Sequence, residues 1–225
     1  MNERDWLTCG DPARMLAFLR DRATERKLRL FAIHTGRRWE AQTPRLQNRP
    51  EFRLALDLAD QLAEGGTVAE SEVVQVRRAL EASIHMWGGG VTHLAGINAG
   101  THLISTPVRH EVALTVSLAW CRLAAHPTSR PTNADIESLR QARLLQELFG
   151  NPFQPSACDE LWLTTDVLAI AKGIYQDRAF DRMPILADAL QDAGCSTEVV
   201  LNHCRAERHE HVRGCWVIDM LLGKI

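Results

Sequence analysis

Glu51-Phe52-Arg53-Leu54-Ala55-Leu56-Asp57-Leu58-Ala59-Asp60-Gln61-Leu62-Ala63-Glu64, followed by Gly65-Gly66, decides the fold class. Ala55, Leu58, Ala59 and Leu62 fall at i, i+3, i+4 and i+7, with Phe52 and Leu54 ahead of them, which is the period of one helix face. The glycine pair then stops the segment. Upstream, Leu28, Phe31, Ala32, Thr35 and Trp39 repeat the pattern at i, i+3, i+4, i+7 and i+11. Before them, Asp11-Pro12 supplies a capping side chain and a proline suited to a first helical position, and Met15, Leu16 and Leu19 follow.

Downstream, helical spacing runs from near Ser71 to Trp87, where Gly88-Gly89-Gly90 ends it. It returns from Val108 to Ala125 and from Thr132 or Asn133 to Phe149, and Gly150-Asn151-Pro152-Phe153-Gln154-Pro155 breaks the chain. Beyond the break, helices are predicted over 166–178, from Asp181 (as cap, with Pro184 in the first turn) to Gly194, from a Ser196 cap to Cys204, and over 211–222, closed by Gly223. Residues 91–106 mix Gly96, Gly100, Thr92 and Thr101, poor or modest helix formers, and read either as a helix held by packing or as an irregular segment with a short β element. No segment alternates long enough to demand a sheet. The expected fold is all-α, a compact multi-helix bundle of about eight to ten helices. It is read as a single domain over 1–225, or as two helical parts, 1–150 and 151–225.

The chain has 225 residues, 45% hydrophobic and 24% charged, with a net charge of −2. That length buries enough surface to fold without disulfide staples, and the charge argues against a protein built wholly around a polyanion. Met1-Asn2-Glu3-Arg4-Asp5-Trp6 is not a signal peptide, and no apolar run spans a bilayer. The expected location is the cytoplasm, without membrane association, and the six cysteines are expected as thiols.

Chemistry concentrates at the end. Cys195, His203, Cys204, His209, His211 and Cys215 all fall in the last 31 residues. Cysteine and neutral histidine are the preferred ligands of tetrahedral zinc. On a helix over 211–222, His211 and Cys215 would be i and i+4 on one face. A folded-back hairpin would bring Cys195 and either His203 or Cys204 toward them. The metal candidates are therefore Cys195, Cys204, His211 and Cys215. There is no Cys-x2-Cys knuckle, and the plain reading is buried thiols with surface or capping histidines. A Cys215–His211 nucleophile pair cannot be completed by Asp219, which lies about 12 Å from His211 along a straight helix.

Other enzyme signatures fail. Leu114 stands where His110-Glu111 would need a second zinc-protease histidine. There is no G-x-S-x-G elbow, and Gly223-Lys224-Ile225 lacks the rest of a phosphate loop. His85, His93, His102 and His110 would spiral around a helix instead of lining one side. The basic run Arg14, Arg20, Arg22, Arg26, Lys27, Arg29, Arg37 and Arg38 reads as a solvated face with pairs such as Glu25 to Arg29, not as a phosphate-binding surface.

Two sets of segments resemble a paralogous family of uncharacterised bacterial proteins. One is Asp5-Trp6-Leu7 through Asp11-Pro12, with Met15 to Arg20 and Arg26 to Ala32. The other is Leu148-Phe149-Gly150-Asn151-Pro152-Phe153, Arg178-Ala179-Phe180-Asp181-Arg182-Met183-Pro184-Ile185-Leu186-Ala187-Asp188-Ala189-Leu190, His211-Val212-Arg213-Gly214-Cys215-Trp216 and Leu221-Leu222-Gly223-Lys224. The resemblance implies shared ends around a departing middle (40–145), and it carries over no activity and no catalytic residue. The functional expectation is a helical interaction or adaptor protein without catalysis, with an unidentified protein as partner and no cofactor. The alternative is a zinc-binding or thiol-dependent protein using the terminal Cys/His cluster. A second alternative is weak nucleic-acid binding through the first helices.

Overall fold

Helix-forming periodicity and well-placed breakers produce helix throughout. The computed structural model describes residues 1–42, 47–86, 101–104, 110–124, 132–155, 157–206 and 210–224, and these contain no strand. The fold is all-α. Two compact units partition it, Glu3–Leu145 and Gln146–Ile225.

The first unit begins with α1 (Glu3–Thr8) and α2 (Pro12–Phe18). Asp11 caps α2, its carboxylate accepting from the Ala13 and Arg14 N–H groups at 2.9 and 3.3 Å, which satisfies donors a helix start leaves open. α3 (Glu25–Gln42) carries the predicted stripe, with Leu28, Phe31, Ala32 and Thr35 buried. It packs against α4 (Pro50–Ala63) and α6 (His110–Ala124). α2 also lies on α6, and α4 on α5 (Glu70–Met86). α7 (Thr132–Phe149) ties to α6 through Ser117, whose hydroxyl donates to Gln141 at 2.6 Å.

The basic run of α3 differs from the expected solvated face. Arg29 is buried, donating to the Leu103 carbonyl and to Glu25, both at 2.6 Å. Arg37 pairs with Asp57 and Asp60, and Arg38 with buried Glu137. A guanidinium has five donors in a fixed fork, so it can be buried where several acceptors converge.

The second unit contains α8 (Thr165–Asp177), α9 (Met183–Asp192), α10 (Glu198–Arg205) and α11 (Trp216–Leu222). α8 packs on α9 and α11, and α10 packs on α9 and α11. Val167, Ile174, Met183, Leu186, Leu190, Val200, Val217 and Ile218 form its core, joined by Cys195, Cys204 and Cys215. Thr164 caps α8 through its hydroxyl, and Gly223 closes α11 at φ 63°, as its position predicts.

Three boundaries differ from the sequence expectation. A 3₁₀ turn at Phe180–Arg182 precedes α9, so Arg182 rather than Asp181 stands at its N-cap. Thr197 rather than Ser196 precedes α10. The last helix starts at Trp216, not His211, because Gly214 takes φ 93° and Cys215 is extended at φ −45°, ψ 128°. The Gly88–Gly90 terminator, residues 91–100 and 105–106 of the ambiguous segment, and His209 lie outside the described residues.

The α4 face is directly testable. Phe52 is 2% exposed and Leu54 50%. Phe52→Ala is expected to cost about 3–5 kcal/mol in urea denaturation, and Leu54→Ala no more than about 0.5 kcal/mol. Equal losses would mean that α4 buries a different face.

Candidate metal centre

Glu147 sits in the last turn of α7, 1% exposed. A carboxylate is poorly placed there twice over, because burial strips its hydration and the helix C-terminus already carries partial negative charge. Gly150 ends this helix at φ 62°, its N–H donating to the Gln146 carbonyl at 2.8 Å. Groups that can offset the carboxylate converge from the end of the chain. His211 Nδ1 lies 3.2 Å from Glu147 Oε1, the Val212 N–H donates to the same oxygen at 3.4 Å, and His203 Nε2 lies 3.3 Å from Oε2.

Each partner is positioned by its own element. His203 occupies the last turn of α10. His211 and Val212 belong to the non-helical segment before α11, which Arg213 helps anchor by placing its guanidinium 5.2 Å from the Tyr175 ring of α8. The positive φ of Gly214 then turns the chain, so that Cys215 points its sulfur inward, 3.2 Å from His203 Nε2. The two imidazoles meet edge to face, with centroids 4.9 Å apart.

One ligand atom from each of Glu147, His203, His211 and Cys215 lies within 4.8 Å of all the others, and the group could hold a metal ion. Tetrahedral zinc, with bonds of about 2.0–2.3 Å, requires donor atoms roughly 3.3–3.8 Å apart. His203 Nε2 to Cys215 Sγ at 3.2 Å is near that spacing, as are His203 Nε2 to Glu147 Oε2 at 3.3 Å and His211 Nδ1 to Glu147 Oε1 at 3.2 Å, the last two reaching different oxygens of the carboxylate.

Of the four sequence candidates, the structure brings together His211 and Cys215. They meet through a turn, not along one helix face. Cys195 and Cys204 are buried in the apolar core, outside the four-residue group. α10 offers His203 to the site, while Cys204, one residue and about 100° further around the helix, faces the core. Glu147 escaped the sequence reading. Its only local signal is an acid in the final turn before a helix break, the unfavourable end for a carboxylate.

Proton positions in the group follow from Trp216. Its indole N–H, which can only donate, reaches His203 Nδ1 at 3.2 Å. Nδ1 therefore holds a lone pair, and a neutral His203 carries its proton on Nε2. Gly150 makes room for the indole, since a Cβ there would lie 3.0 Å from two ring carbons of Trp216. Cys215 is fully buried, and burial, followed by the Glu147 charge, pushes its thiol well up from the ordinary range. It is a thiol unless a cation displaces its proton, so it is not poised as a nucleophile. Burial also pushes Cys204 up to about 12.

Comparison with protein families, with curated proteins and with solved structures finds no match.

Gly150→Ala should be more costly than Gly194→Ala. Both take positive φ, 62° and 89°, but an added Cβ meets Trp216 at 150 and nothing within 4 Å at 194. Backbone strain of about 1 kcal/mol is common to both, and displacing the indole adds roughly 1–2 kcal/mol at 150. Equal urea midpoints would show that Trp216 is not held there.

The thiols also predict a response to alkali. Because the folded pKa of Cys204 exceeds its ordinary 9.0, the stability from burying the neutral thiol is complete below pH 9. It is lost as pH rises toward about 12. Cys204→Ala should therefore flatten the fall in stability between those limits, measured by urea denaturation across pH. An unchanged slope would assign that fall to other groups.

Proposed function

We propose that this protein is a helical module without catalysis whose second unit is held together by one zinc ion, bound by Glu147, His203, His211 and Cys215. The observation that carries this reading is that one donor atom from each of Glu147, His203, His211 and Cys215, brought together from three separate chain segments, lies within 4.8 Å of the others. Mixed sulfur, imidazole and carboxylate donors suit zinc. The carboxylate and the thiolate together balance a divalent charge. Four protein donors complete a tetrahedron and leave no coordination position for water, the arrangement of structural zinc rather than catalytic zinc.

The ion would supply folding free energy by linking the end of α7, the end of α10 and the turn before α11. A ligand present at a hundred times its dissociation constant stabilises the folded state by about 2.7 kcal/mol. The arginines of α3 are engaged with acids of their own unit, which favours this reading over phosphate binding. A partner protein remains part of the proposal, to be sought by co-purification.

The test is the metal content of protein made without an affinity tag, since histidine tags bind zinc themselves. About one zinc per chain is expected, with loss in Cys215→Ala and Glu147→Gln. A chelator should lower the thermal midpoint of wild type and leave Cys215→Ala unaffected, and added zinc should restore the wild type. Absence of metal from protein made in zinc-supplemented medium, with no shift of the midpoint in excess zinc, would overturn the reading. It would leave a proton-bridged group, the arrangement that the Trp216 hydrogen bond favours.

A further inference from the structure

The geometry points to Trp216 as the residue that sets the zinc affinity of this centre, by holding His203 in the tautomer that cannot bind a metal ion. The inference rests on the zinc reading above and adds a specific antagonist to it.

The nitrogen of His203 that faces the other donors is Nε2, 3.2 Å from Cys215 Sγ and 3.3 Å from Glu147 Oε2. A metal ion needs the lone pair of that atom. With the indole N–H of Trp216 donating to Nδ1, the lone pair is on Nδ1 and the proton on Nε2. Zinc must therefore drive the proton off Nε2. A neutral ring then carries it on Nδ1, where it meets the indole N–H head-on at a separation of 3.2 Å. Two donors cannot satisfy each other, so the indole must leave Nδ1 for the ion to bind.

Metal-bound histidines almost always donate their second N–H to a carboxylate, a carbonyl or water, and that partner strengthens binding. Trp216 occupies the same position with the opposite polarity. It is also held there. Its ring lies 5.1 Å from the His203 ring, and the missing side chain of Gly150 leaves the space it fills. Trp216 is thus a positioning residue that weakens zinc binding and makes the bound ion exchangeable. Loading the ion releases the indole at the first residue of α11.

Zinc affinity, measured by competition with a chromophoric chelator, separates the possibilities in wild type, Trp216→Phe, His203→Ala and the double variant. Trp216→Phe, which keeps an aromatic ring and removes the donor, is expected to bind zinc about tenfold more tightly, the scale on which second-layer partners act. In the His203→Ala background the same substitution should have no effect, because its target is gone. Nitrogen NMR of metal-free wild type provides a measurement independent of any variant. Nδ1 of His203 should be unprotonated and Nε2 protonated, and the Trp216 indole N–H resonance should move on zinc addition.

Unchanged or weaker zinc binding by folded Trp216→Phe overturns the role of Trp216 and leaves the zinc reading standing. A proton on Nδ1 in the metal-free wild type does the same. Failure of every variant, wild type included, to take up zinc removes the zinc reading and this inference together.

Discussion

A buried carboxylate at the wrong end of a helix organises the second unit. Glu147 has lost its water and lies where the α7 backbone already presents negative charge, so positive or donating groups have to come to it. They come from places far along the chain. His203 is 56 residues away and His211 is 64 away, and the Val212 N–H adds a backbone donor. Satisfying one side chain thus fixes the end of α10 and the segment leading into α11. Removing the carboxylate would take away the group on which His203, His211 and the Val212 N–H converge.

Much of the fold was legible because helix periodicity, capping residues and breakers are local signals. The stripe in α3, the Asp11 cap, the Gly65-Gly66 stop and the Gly223 terminus all depend on residues within two turns of one another. The centre was legible only in part. Crowding of Cys and His in the last 31 residues singled out His211 and Cys215, and both belong to the four-residue group. The geometry proposed for them was mistaken, since a continuous helix from 211 ignored Gly214, whose positive φ ends any helix reaching it from either side. Glu147 was out of reach for a different reason. No local pattern marks an acid in the last turn of α7 as the partner of groups more than fifty residues on.

The separation of His203 from Cys204 shows how adjacent residues take unrelated roles. A step of about 100° on α10 turns one side chain to the polar group and the next to the apolar core. Burial then acts oppositely on what each can do. Cys204, among apolar neighbours, has its thiol pushed up to about 12 and serves as packing. Cys215 is just as buried but touches His203 and faces Glu147, so a cation entering the group can take its proton's place. Counting cysteines could not distinguish the two; the neighbours do. Gly150 and the segment from His211 through Trp216 build the group and its tryptophan support.

Protons and a divalent ion compete for the same four atoms, and the balance lies with groups outside them. Without metal, the Cys215 proton and the His203 Nε2 proton lie among the donors, with the Glu147 carboxylate accepting from around it. With zinc, carboxylate and thiolate would cancel the ion's charge, and both protons would have to leave those positions. The four donors by themselves could hold the ion, since they lie within 4.8 Å of one another and a carboxylate and a thiolate would match its charge. The indole N–H tips the balance back by stabilising the lone pair on the far nitrogen of His203. A hydrogen bond worth about 1 kcal/mol is small against zinc binding as a whole. It acts on one of only four ligands, however, and through the one atom that decides whether that ligand is available. On the proposed zinc reading, the affinity of the centre would therefore be governed as much by the residue that begins α11 as by the four residues that would hold the ion.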